Sequence, residues 1–209
     1  MPEILVSKWP DWKIRNLILG VMFFVWGVAH LVQSPADTQW TVPVLGAVLL
    51  QLTVAWLIAN RAVAVAEGGL VDIGVASVSL ISGAVLLTML PQRPQDWNWV
   101  SLVLIAVGSF VAIMALMHLG RSFAIFPARR KLITNGLYRW IRHPAYAGEM
   151  MIMVGVTHAA GTNLAWILMM VTLAGVVGRI DREERLLAVD EGHQCYRQQV
   201  RWRLVPKIW

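Results

Sequence analysis

Residues 134–149 of this 209-residue chain read Thr-Asn-Gly-Leu-Tyr-Arg-Trp-Ile-Arg-His-Pro-Ala-Tyr-Ala-Gly-Glu. Guanidinium, imidazole, phenol and carboxylate groups crowd there, directly before an apolar run at 150–156. Ionisable side chains at a membrane boundary are costly and usually mark a site. A second cluster, Arg179-Ile-Asp-Arg-Glu183-Glu184, follows the next apolar segment. Two such clusters, one hydrophobic hairpin apart, predict a single pocket at a membrane surface. Pro144 cannot donate a backbone hydrogen bond and suits the first turn of a helix. Arg142 and His143 then sit at a helix mouth, whose free N–H groups and partial positive charge suit a carboxylate or hydroxyl. Tyr146 shares a helical face with His143. Gly148 permits close approach of another backbone or a cofactor. Taken alone, the Arg-His-Pro turn is equally a snorkelling cap, with Glu149 paired to Arg142 or Arg139. Arg179 and Glu183, four apart, are neighbours on a second helix. Exposed, that pair is worth a few tenths of a kcal/mol; beside a polar pocket it can hold a zwitterion or a charged substrate.

The elements that must position these groups read as membrane segments. Hydrophobic residues make up 57% of the chain and charged ones 14%, against about 25% charged in a soluble domain; mean hydropathy is +0.60. Six apolar segments stand out, at 14–32, 42–62, 70–90, 97–119, 145–159 and 162–178. The first four are long enough to cross about 30 Å of hydrocarbon. The last two are shorter, joined by Ala160-Gly161, and read as a helical hairpin, thinly spanning or partly re-entrant. The expected fold is an all-α polytopic transmembrane bundle of five to six segments, with scaffold helices at 1–119, a cofactor-binding and catalytic region at 120–209, and the pocket at the cytosolic face. Pro35, Pro91 and Pro94 punctuate the joins.

With six crossings, every Lys and Arg of the 18 except Arg93 falls on one side, Lys8 included. Positive charge stays cytoplasmic, so both termini and the connection 120–144 are expected inside, in a bacterial inner membrane. The net charge of +6 is thus a topology signal with room for anionic lipid headgroups, and nucleic acid is not expected as a partner. Trp9, Trp12, Trp40, Trp97, Trp99 and Trp209 lie near segment ends, as interfacial anchors do. His118, His143 and His158 fit no metal-ligand spacing, and Cys195 is the single cysteine, so no metal is expected.

In order, Leu119-Gly-Arg-Ser-Phe123, Leu132-Ile-Thr-Asn-Gly136, Tyr138, Arg142-His-Pro-Ala-Tyr146-Ala-Gly148, Arg179 and Glu183-Glu184 resemble the isoprenylcysteine carboxyl methyltransferase family and its bacterial relatives. Membrane phospholipid methyltransferases share the C-terminal part of this pattern. The resemblance covers about the last 90 residues and implies S-adenosylmethionine bound on the cytosolic side, with a lipophilic acceptor (carboxylate, amine or thiol) reaching the methyl group from the bilayer. It implies cofactor contacts at Lys131, Leu132, Ile133, Tyr138, His143, Pro144, Ala145, Tyr146 and Glu183, and places Arg179 beside the acceptor; Arg179 and Glu183 are the expected catalytic pair. The tail departs from the family pattern, with Glu191 before Gly192 and Tyr196 as its lone tyrosine. The alternative is an NADPH-dependent membrane reductase of the sterol-reductase type, whose Tyr-x-x-x-Arg-His-Pro-x-Tyr-x-Gly-Glu pattern Tyr138 to Glu149 also fits. No Gly-rich phosphate loop accompanies it here.

Overall fold

The computed structural model of the chain describes residues 11–34, 41–62, 64, 66–89, 97–126 and 128–209. Lys8, Trp9, Pro35, Trp40, Pro91, Arg93 and Pro94 lie outside them. Among the described residues, seven α-helices run in order: α1 Asp11–Gln33, α2 Val42–Asn60, α3 Leu70–Leu87, α4 Trp99–Leu119, α5 Pro144–Ala160, α6 Asn163–Leu187 and α7 Glu191–Gln199. Local chemistry sets several ends. The Asn98 side chain accepts from Val100 N–H at the start of α4. Pro144 opens α5, and Gly161 closes it in the left-handed conformation, φ 62°. Thr162 caps α6 and Asp190 caps α7, each through a side-chain oxygen.

The fold is the expected all-α polytopic bundle. The segments 43–60, 70–87, 99–122 and 163–187 are each long and apolar enough to cross a membrane. Their outward faces are apolar: Val103, Val107, Phe110, Met114 and Met117 form an exposed stripe down α4. Only hydrocarbon makes such a surface a low-energy one, since helices satisfy their own backbone groups there. α1 contributes a shorter apolar stretch, Asn16–Ala29, and α5 has 17 residues.

One boundary differs from the sequence reading. The sixth segment does not end at 178; α6 runs 25 residues through Leu187 without a break. At 1.5 Å per residue that is roughly 37 Å, so the second arm of the hairpin is long. Arg179–Glu184 are therefore its last turns, not a separate cytosolic piece. Hydropathy marks where apolar composition ends; the helix continues with Arg179 and Glu184 buried against partners on other elements.

The main packings are α4 on α5, α1 on α2, α3 on α6 and α2 on α4. Small residues set the closest crossing. A Cβ on Gly148 of α5 would lie 2.7 Å from the Gly108 carbonyl oxygen of α4, so only glycine lets these backbones meet. Of the two uses Gly148 could serve, close backbone approach is the one found. The core gathers Leu86, Ile105, Ile152, Met153, Val156, Ala165 and Met169 between α3, α4, α5 and α6. The connections are tied at one end of the bundle. Ala66–Glu67 pairs antiparallel with Ala128–Arg129, and Ala62 N–H donates to Arg121 C=O at 2.8 Å. The Asn135-Gly136 turn holds Gly136 at φ 59°, with the His118 ring where a Cβ would collide.

Candidate functional site

α5 brings its polar residues onto one face at three-residue spacing. His143 caps the helix, and its ring stacks on Tyr146 at 5.7 Å between centroids. Glu149 follows one further turn in, and Met153 and Val156 continue the same face into the apolar core. The last turns of α6 lie opposite. Tyr146 Oη donates to Glu183 Oε2 at 3.1 Å, and His143 Nδ1 lies 4.0 Å from the same oxygen.

Arg179 is 5% exposed and held from four directions. Its Nη1 donates to Ser79 Oγ on α3 at 3.3 Å, and Nη2 to the Ile125 carbonyl at 3.1 Å. The guanidinium lies 4.8 Å over the Tyr146 ring and 3.8 Å from Glu149 Oε2. Glu149 thus pairs with Arg179 across the two helices, and not with Arg139 or Arg142. The sequence reading missed this because both candidates were sought nearby in sequence.

Glu184 does different work. It is 3% exposed. Its Oε1 accepts from Arg142 Nε at 2.8 Å and lies 3.2 Å from His143 Nε2; Oε2 lies 2.9 Å from Arg203 Nη2. Arg142 Nη1 also donates to the carbonyls of Val200 and Arg201. The mouth of α5 is less open than the sequence suggested: the N–H groups of Arg142 and His143 donate to the Trp202 and Arg203 carbonyls. Tyr196, the lone tail tyrosine, donates to the Tyr138 carbonyl at 2.6 Å. Burial raises both phenols, Tyr196 to about 12 and Tyr138 well above its ordinary value, so both stay neutral donors at physiological pH.

A cavity of about 320 Å³ opens beside these groups. Its polar part is lined by Tyr138, His143, Tyr146, Glu149, Arg179 and Glu183; its apolar part reaches Leu87, Ile105, Met153 and Val156. Of the expected site residues, Tyr138, His143, Ala145, Tyr146, Arg179 and Glu183 line it together. Pro144 is the buried first residue of α5 behind that wall. Lys131, Leu132 and Ile133 lie on the connection before Gly136, outside the lining, with Lys131 exposed.

The groups present suit a sulfonium cofactor that carries an ammonium. Glu183 keeps 29% of its side chain exposed and has one oxygen engaged by Tyr146. The phenol ring of Tyr138 lines the same space, and aromatic faces attract cations.

Comparison with known proteins points the same way. The model of the isoprenylcysteine carboxyl methyltransferase (ICMT) family matches residues 99–189, from α4 to the end of α6. Over 74 residues the chain is 34% identical to "Probable protein-S-isoprenylcysteine O-methyltransferase" of Oryza sativa subsp. indica, which is 32% of this chain and 39% of the rice protein. Over 86 residues it is 34% identical to "Protein-S-isoprenylcysteine O-methyltransferase A" of Arabidopsis thaliana, 37% of this chain and 43% of that protein. The chain thus spans about two fifths of the length of the curated relatives it matches. These relatives are plant proteins and lend nothing to the bacterial expectation.

Proposed function

We propose, from the match of residues 99–189 to the isoprenylcysteine carboxyl methyltransferase family, that this chain is an integral-membrane methyltransferase dependent on S-adenosylmethionine. Its acceptor is a lipophilic molecule that enters from the bilayer. The observation that carries this reading is one cavity that joins a cluster of charged and phenolic groups to an apolar interior between α1, α2, α3, α4 and α5. An amphiphile has that division of surface, and the relatives' names attach methyl transfer to an isoprenylated cysteine.

S-adenosylmethionine supplies an electrophilic methyl group on a sulfonium. The residues do the rest. Glu183, oriented by the Tyr146 hydroxyl, holds the cofactor's ammonium. His143 and the first turn of α5 take its polar end. Tyr138 walls the sulfonium region with a neutral ring. Arg179 fixes the acceptor's position from the bundle side. Methyl transfer needs in-line placement and a dry site rather than a nucleophilic side chain, and the buried setting of Arg179 and His143 provides both. On the basic-residue asymmetry, the site faces the cytosol.

Titration of the purified full chain in detergent with S-adenosylmethionine and, separately, with NADPH tests this. Saturable binding of the first alone is expected. Binding of NADPH without S-adenosylmethionine overturns the reading in favour of the reductase.

A further inference from the structure

We propose that Gln51 is a binding residue for the acceptor, and that the group it recognises is an amide in the acceptor's chain, close to the head. The inference rests on the methyl-transfer reading above and narrows its substrate class to amphiphiles with an amide bond beside the head, as in an acylated amino acid or a lipid-bearing peptide end. Gln51 lies on α2, within the segment 43–60 that is apolar enough to cross a membrane. An unpaired polar group is costly in such a setting. Thr53, its polar neighbour, is satisfied by the Leu49 carbonyl at 2.7 Å. Gln51 is not: its Oε1 is buried without a hydrogen-bond partner. Gly27 faces it from α1 and has no side chain to offer; a Cβ there would lie 3.3 Å from the Gln51 Cβ and 3.4 Å from Oε1. Gln51 lines the cavity, so its amide borders the space a ligand would fill. The Ser109 hydroxyl on the same lining lies elsewhere on α2, against Gly46, where a Cβ would meet it at 2.7 Å.

The place of Gln51 on α2 sets which part of the acceptor it meets. Gln51 is nine residues from the end of α2 at Asn60, and Ser79 is nine from the start of α3 at Leu70. Both ends adjoin the tied connections, so both residues lie roughly 14 Å into the bundle. Their neighbours Leu50 and Leu80 pack on the same cluster of Leu57, Ile58, Leu116, Phe123 and Ile125. Ser79 is the α3 residue that accepts from Arg179. α2 packs on α1 and α4, and α3 on α6; the cavity is lined by both α2 and α3. A head group set beside Arg179 therefore has the next atoms of its chain at the level of Gln51. A glutamine side chain offers a carbonyl acceptor and two N–H donors. A secondary amide answers both, its N–H donating to Oε1 and its carbonyl accepting from Nε2. An ester or ether answers the donor alone, and plain hydrocarbon leaves the Gln51 amide unpaired.

The full chain in nanodiscs, with no methyl donor present, gives the test. It is titrated with radiolabelled N-dodecanoylglycine and with pentadecanoate, two carboxylates of equal backbone length, one with an amide beside the head and one without. Binding is read against empty nanodiscs at mildly alkaline pH, where both carboxyls are ionised. The wild type should take N-dodecanoylglycine about tenfold tighter than pentadecanoate, the scale of the hydrogen bonds gained. Gln51→Leu and Gln51→Met, apolar and of similar volume, should lose that preference and still bind pentadecanoate. Thermal unfolding confirms that each variant is folded. A merely structural Gln51 would weaken both probes alike and leave their ratio unchanged. Equal binding of the two probes by the wild type, or a preference that survives in the variants, overturns the inference. Donor binding is read on the same samples. Intact S-adenosylmethionine binding without an amide preference sinks this inference and leaves methyl transfer standing. An amide preference that depends on Gln51, without donor binding, keeps the Gln51 contact and sinks methyl transfer.

Discussion

Glu183 and Glu184 are adjacent in sequence and about 100° apart around α6, and that rotation separates two kinds of surface. Glu183 faces the cavity, with Tyr146 and His143 as neighbours and nearly a third of its side chain open. Glu184 faces the tail and is closed in by Arg142, His143 and Arg203. The open side can exchange partners with a ligand. The sealed side has its charges matched within the fold, and it joins three separate parts of the chain: the turn before α5, the end of α6, and residues 200–203. The same functional group thus binds on one side and assembles on the other. A carboxylate's role here is set by whether its partners belong to the chain.

The largest expected effect tests that division. Glu184→Gln leaves the buried Arg142 without its carboxylate, and loss of one partner of a buried pair costs roughly 3–5 kcal/mol. The unfolding free energy in micelles should fall by about that amount. Glu183→Gln, on the open side, should change stability by under about 1 kcal/mol. It should instead weaken S-adenosylmethionine about 10- to 150-fold, as for one charge-assisted hydrogen bond. The comparison breaks if the two substitutions exchange these signatures.

Much of this arrangement could be read in advance. The apolar runs marked all the long helices, because segments that face lipid must be apolar along most of their length. Pro144 and the three-residue spacing of His143 and Tyr146 fixed the mouth of α5 and its polar face. Three things stayed hidden. The 162–178 run ended where hydropathy fell, yet α6 continues to Leu187, because Arg179, Asp181 and Glu184 have partners on other elements. Such partners are set by tertiary packing, which periodicity does not record. For the same reason Glu149 found Arg179, thirty residues on, rather than the nearer Arg142 or Arg139. The tail's hold on the α5 mouth was likewise invisible. It is made by the Trp202 and Arg203 carbonyls, and backbone acceptors carry no residue signature.

His143 stands between the two sides, with Nε2 3.2 Å from Glu184 and Nδ1 4.0 Å from Glu183. A residue on the boundary should show both signatures at reduced size. His143→Ala removes one buried hydrogen-bond partner of Glu184 and the stacked neighbour of Tyr146. Stability should drop by about 1–3 kcal/mol, with a measurable rise in the S-adenosylmethionine Kd alongside. A change in stability with the Kd untouched would place His143 wholly on the sealed side and sharpen the boundary to Tyr146.

The smallest effect belongs to the rim of the sealed side. Tyr196 donates one hydrogen bond to the Tyr138 carbonyl, so Tyr196→Phe should cost about 0.5–1.5 kcal/mol at neutral pH. Its pH dependence reports the burial of the phenol. Burial raises the Tyr196 phenol from 10.0 to about 12, so the folded chain favours the neutral form. Below pH 10 the phenol is neutral in both states and the full contribution is present. Between pH 10 and about 12 the unfolded chain ionises first, and the contribution is lost progressively as pH rises. Tyr138, with its own raised phenol, produces a similar decline in wild type and variant alike. The informative quantity is therefore the difference between the two unfolding curves. That gap should hold steady up to pH 10 and narrow above it. A gap that stays constant to pH 12 would mean that the phenol ionises alike in the folded and unfolded chain, and that the Tyr196 hydroxyl is not enclosed against Tyr138.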